Sequence, residues 1–178
     1  MVRQTLSKTV NPEKRDALSS ILTVWFFVLL TALCAKVAFP LPFTPVPVTL
    51  QVFSVFLVGL MTTPLESFSA MVLYVGGGAL GLPWFANFGS FATSGYLVGF
   101  VFAAPLCSWA RQRVGSGVAC LMALFVIYMF GVSFLCVVTG INTLKGALLG
   151  ALPFIPFDFV KALAAIEVSK RLEAHDNP

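Results

Sequence analysis

Apolar residues come in long runs along this chain, and the short polar or proline-rich breaks between them mark where it must turn. A helix that crosses a bilayer needs about 20 apolar residues. The first run, about residues 19–38, meets that length. Four prolines then fall within eight residues (Pro40, Pro42, Pro45 and Pro47), too many for regular helix or sheet. That segment is nonetheless apolar, so it is expected to fold back onto the protein. Further runs are predicted at about residues 48–61, 65–80, 95–110 and 117–138. The turn Thr62-Thr63-Pro64 joins the second and third, and a longer Gly/Asn/Ser-rich connection over 81–94 joins the third and fourth. The last run, residues 146–171, is interrupted by Pro153 and Pro156.

Composition fixes the solvent. The chain is 58% hydrophobic and only 10% charged, against about 25% charged for a soluble domain. Its 178 residues allow six spans at most. The expected architecture is therefore an all-α integral membrane protein. It is a six-transmembrane-helix bundle over residues 19–171 with structured, Pro/Gly-rich outer loops, a cytoplasmic N-terminal segment 1–18 and a cytoplasmic tail 172–178. The first run lacks a clean cleavage site and reads as a retained span, not a signal peptide.

The net charge of +4 does not point to nucleic acid, because the bases sit in small groups at the ends of apolar runs. With the N-terminus inside, Arg3, Lys8, Lys14, Arg15, Arg111, Arg113, Lys170 and Arg171 are cytoplasmic, eight of the eleven bases. The positive-inside rule then places both termini in the cytoplasm. The same topology puts the prolines, glycines and Asn87 outside, and irregular backbone at membrane depth is tolerated where it lines a cavity. A pocket opening outward is expected.

The charged residues that matter most are Asp158 and Lys161, three apart and so on one helix face. Either charge costs about 2.5–3.5 kcal/mol to insert into hydrocarbon. Pro156 suits the first turn of a helix, and thirteen residues separate Asp158 from Arg171, roughly 20 Å of helix. Asp158 is thereby expected roughly 10 Å below the outer surface of a core about 30 Å thick. The pair serves a ligand, a structural ion pair or a proton path, and the scarcity of other buried ionisable groups argues against the last. Gln51, Asn87 and Tyr96 add polar groups near the outer side, where each also has a structural use. Lys36 ends the first span and either snorkels outward or lines the pocket.

Thr31 and Ala35, and Cys34 and Ala38, form small-x-x-x-small pairs on the first span. They either pack within the bundle or offer a groove to a partner helix. Gly76 to Gly81 matches G-x-G-x-x-G but follows a membrane helix and precedes Pro83, the wrong context for a nucleotide. Cys34, Cys107, Cys120 and Cys136 read as buried thiols, and no metal site is expected, because His175 lies in the polar tail. No phosphate-binding loop and no Ser/His or Cys/His nucleophile pair stands in the membrane region, which argues against an ATPase or a lipid-modifying enzyme.

Four segments in order carry a resemblance. They are residues 43–51 (FTPVPVTLQ), 81–86 (GLPWFA), 94–100 (SGYLVGF) and 153–161 (PFIPFDFVK). The chain resembles the BioY family, the biotin-specific substrate-binding components of energy-coupling factor transporters, from about residue 32 to 164. The resemblance implies a non-enzymatic subunit of the bacterial cytoplasmic (inner) membrane that captures biotin from outside. It also implies a transmembrane coupling protein and two ABC-type ATPases as partners. No cofactor is expected; biotin is the transported ligand. A subunit for another vitamin is the alternative.

Biotin carries a ureido ring, an apolar sulfur ring and a carboxylate tail. Against such a ligand, Asp158 can accept from the ureido N–H groups, Lys161 can pair with the carboxylate and Asn87 can both donate and accept; the alternatives are that Asp158 and Lys161 exchange these duties or bind each other. Phe43, Trp84, Phe88 and Tyr96 would enclose ring and chain, with Thr44 and Gln51 as further binding residues. The docking residues would be Thr31, Cys34, Ala35 and Ala38. Phe157 departs from the family pattern, standing where a small residue is expected before the acid.

Overall fold

The computed structural model describes residues 16–86 and 90–176. Seven helices dominate it: α1 (Ala17–Lys36), α2 (Gln51–Met61), α3 (Pro64–Ala79), α4 (Ser94–Val114), α5 (Ser116–Thr139), α6 (Thr143–Gly150) and α7 (Ile155–Asp176). Two short strands, β1 (Ala38–Phe39) and β2 (Val48–Thr49), pair antiparallel, Ala38 opposite Thr49 and Phe39 opposite Val48. The proline run lies between them. The second predicted run therefore opens as strand, and helix begins only at Gln51. Ala38, expected in the first span, belongs to β1.

Local chemistry sets the helix ends. Thr63 and Glu66 form a reciprocal capping box at the start of α3, with Pro64 in its first turn. Asn142 caps α6 by accepting from the Lys145 N–H at 2.8 Å. Gly140 closes α5 in the left-handed conformation at φ 70°, where a side chain would be strained. Gly115 turns the chain between α4 and α5 at φ 83°.

Helix α2 is the centre of the bundle, with ten of its eleven residues buried. A helix apolar on nearly every side is enclosed either by protein or by lipid, and its burial shows that α2 is enclosed by protein. It packs on α1, α4 and α7, and Gly59 lets the α4 backbone approach at Ala104 and Cys107. The broadest contact is between α4 and α5. Gly95 and Gly99 sit directly against Phe134, the Phe130 carbonyl and Ile127 there, as small residues do where membrane helices meet closely.

Among the described residues three helical stretches are long and apolar enough to cross a membrane: Ala17–Lys36, Phe91–Val114 and Ser116–Thr139. The latter two are α4, with the 3-10 turn Phe91–Thr93 that leads into it, and α5. The pair Thr143–Gly150 and Ile155–Ala174, bent by 51°, supplies a fourth if it counts as one span. The interruption expected at Pro153 and Pro156 is this bend.

Candidate functional site

A cavity of about 280 Å³ opens at the end of the bundle where α2, α4 and α7 begin. That volume lies just below the usual range for small-molecule sites, about 300–1,000 Å³. Val52, Leu97, Phe100, Ile127 and Phe154 give it apolar walls. Val46, Pro47 and Thr49 bring the proline loop to one side, and Phe85, Ala86 and Ser90 bring the α3–α4 connection to the other. Four groups carry its stronger polarity: Gln51, Tyr128, Asp158 and Lys161.

Asp158 lies in the first turn of α7, where the partial positive charge of a helix N-terminus favours an acid. It is 2% exposed and Lys161 is 8% exposed. Lys161 Nζ donates to Asp158 Oδ1 at 2.6 Å, and the Tyr128 hydroxyl donates to Oδ2 at 2.7 Å. The carboxylate has further lone pairs and the ammonium further N–H groups, and all three residues line the cavity. An acceptor and a donor thus stand side by side. That arrangement complements a ligand edge in which N–H adjoins C=O, as in an amide, a lactam or a urea.

Gln51, 5% exposed, has both ends of its amide engaged. Oε1 accepts from the Thr49 hydroxyl at 3.1 Å, and Nε2 donates to the Tyr74 hydroxyl at 2.5 Å. Tyr74 in turn donates to the Trp84 carbonyl at 3.4 Å. Lys36 Nζ donates to the next carbonyl, Phe85, at 3.0 Å. This wall of the cavity is therefore tied to α1, α2 and α3. The Tyr96 ring lines the cavity while its hydroxyl donates to the Gly150 carbonyl at 2.7 Å.

Of the residues the sequence singled out, Asp158, Lys161, Gln51 and Tyr96 come together at the cavity. Phe43 is exposed and Thr44 donates to the Leu149 carbonyl at 2.8 Å; neither lines it. Trp84 packs against Gly77, behind the wall. Asn87 and Phe88 lie outside the described residues. Phe157 is half exposed and off the cavity, so its departure from the family pattern leaves the lining unchanged.

The docking expectation changes. Thr31, Cys34 and Ala35 are buried, with the Thr31 hydroxyl donating to the Phe27 carbonyl at 2.7 Å. These three pack against the rest of the bundle, while Ala38, the fourth residue of that expectation, is half-buried in β1. Tyr128 and Tyr74 were missed. Tyr128 stands in the middle of an apolar helix, and that position was the available signal: a hydroxyl set among apolar residues requires a partner.

The BioY family model matches residues 5–176. A probable biotin transporter BioY of Pyrococcus horikoshii is 39% identical over 158 residues, covering 85% of this chain and 94% of that protein. The biotin transporter BioY of Thermotoga maritima is 33% identical over 147 residues, 75% of this chain and 84% of that one. The crystal structure of the S-component for biotin from an ECF-type ABC transporter superposes with a TM-score of 0.81 at 18% identity, covering 88% of this chain and 92% of its own. That likeness carries the fold, and the family match carries the kinship. On the match of the family model and of these relatives, the chain belongs to the BioY family.

Proposed function

We propose that this protein captures biotin in the outer cavity and delivers it inward as the substrate-binding subunit of an energy-coupling factor transporter. It has no enzymatic activity of its own. The observation that carries this reading is the Asp158–Lys161 pair, 2.6 Å apart at the cavity. A ureido edge offers N–H beside C=O. Asp158 accepts from the N–H and Lys161 donates to the adjacent carbonyl. The closeness of the two charges favours this over the earlier expectation that Lys161 takes the distant carboxylate. The tail then points toward the mouth between the two outer loops, and the apolar walls enclose the sulfur ring.

Gln51 and Tyr96 shape the site, and Thr44 and Trp84 act by holding its walls. Phe43 belongs to the outer surface of the same loop. Asn87 and Phe88 are assigned to the site on sequence grounds. In this reading six segments cross the cytoplasmic membrane, α2 and α3 as short spans enclosed by longer neighbours, with both termini inside. A transmembrane coupling protein and two ABC-type ATPases supply the energy.

The test is equilibrium binding of labelled biotin to the purified protein without ATP. Saturable binding displaced by unlabelled biotin, but not by a panel of other vitamins, is expected. No binding at micromolar biotin by folded protein sinks the proposal, and displacement by another vitamin reassigns the ligand.

A further inference from the structure

Tyr128 lies midway along α5, which runs Ser116–Thr139. Tyrosines of membrane helices usually anchor at the interface, with the hydroxyl in water. Midway along the helix the Tyr128 hydroxyl instead bonds Asp158 Oδ2 across 30 residues of chain. Lys161, on Asp158's own helix, holds Oδ1. The carboxylate is suspended between α5 and α7. With Lys161 alone, an ammonium one turn along the same helix is free to draw both oxygens to itself, and such a closed pair offers a ligand little. Tyr128 reserves one oxygen. The remaining lone pairs of Asp158 and the remaining N–H groups of Lys161 then stay available at the cavity, which all three residues line.

We infer that Tyr128 is a positioning residue of the ligand site: by bonding Oδ2 it sets the orientation of the Asp158 carboxylate and so selects ligands that present N–H donors to it. This rests on the biotin reading and deepens it. The test compares labelled-biotin binding by the purified full chain in detergent for wild type, Tyr128→Phe, Asp158→Ala and the double variant. Melting temperatures in the same detergent check the fold.

Tyr128→Phe removes one oxygen and keeps the ring. It is expected to weaken binding about tenfold or more, as loss of a hydrogen bond to a charged group does. Asp158→Ala, which leaves Tyr128 nothing to orient, weakens it further. The double variant binds no worse than Asp158→Ala alone, because Tyr128 acts through Asp158. A merely structural role leaves the two losses multiplicative. Wild-type affinity in folded Tyr128→Phe, or multiplicative losses in the double variant, overturns the inference. Failure of the wild type to bind biotin overturns the biotin reading instead.

Discussion

The Tyr96 hydroxyl donates to the Gly150 carbonyl at 2.7 Å while its ring lies against Gly131, so one side chain of α4 fastens both α5 and the last residue of α6. Tyr96→Phe leaves that carbonyl buried without its donor, at a cost of about 1–3 kcal/mol. Because the ring remains in the cavity wall, thermal melting in detergent should fall clearly, while biotin affinity changes by less than Asp158→Asn changes it. The reverse order would show the hydroxyl acting on ligand.

Gly131 leaves no room for a methyl group beneath that ring. Gly131→Ala is expected to push Tyr96 off its partner and to cost about 1–3 kcal/mol, the range for overpacked cores. Chemical or thermal denaturation reads the loss. Gly76, which faces open space, serves as control, and Gly76→Ala should be near neutral.

The buried ion pair makes a sharper prediction. Lys161→Met strands the Asp158 charge, and breaking such a pair costs about 3–5 kcal/mol. Adding Asp158→Asn removes the stranded charge and leaves Tyr128 a polar partner. The double variant should therefore recover most of the lost stability yet show no biotin binding at micromolar ligand. Recovery of binding along with stability would make the pair a packing device alone.

Tyr74→Phe cuts the chain from Gln51 to the Trp84 carbonyl while keeping the ring against Phe85. The wall carrying Phe85 and Ala86 then loses one of its ties. Biotin dissociation, followed by chase with unlabelled ligand, should quicken several-fold, with the association rate little changed. An unchanged dissociation rate would show that the Lys36 bond to Phe85 suffices.

Residues that violate their surroundings were the legible ones. An acid and a base in an apolar run, an amide at a helix start and a tyrosine at a helix start all announced themselves, and Asp158, Lys161, Gln51 and Tyr96 meet at one cavity. Tyr128 and Tyr74 did not, because helical periodicity assigns a face but not a partner 30 or 23 residues away. Phe43 and Trp84 show the opposite failure: no local rule tells whether an aromatic side chain in a loop turns toward the cavity or away. Apolar run length also cannot distinguish a helix enclosed by protein from one that meets lipid, and α2, eleven residues and almost wholly buried, is such a case. The Thr31/Ala35 spacing fits either use of a small-residue stripe, and only burial separated them.

The four prolines between β1 and β2 carry a thermodynamic consequence. Each ring fixes φ in the unfolded chain as firmly as in the folded one. Ordering an ordinary residue costs about 1–2 kcal/mol of backbone entropy, and at these positions much of that freedom never existed. The rim that presents Val46 and Pro47 to the cavity, pinned through Thr44 and closed at its base by the short ladder, therefore behaves as a stiff plate. Ordering this rim thus costs less backbone entropy than ordering a loop of the same length without prolines.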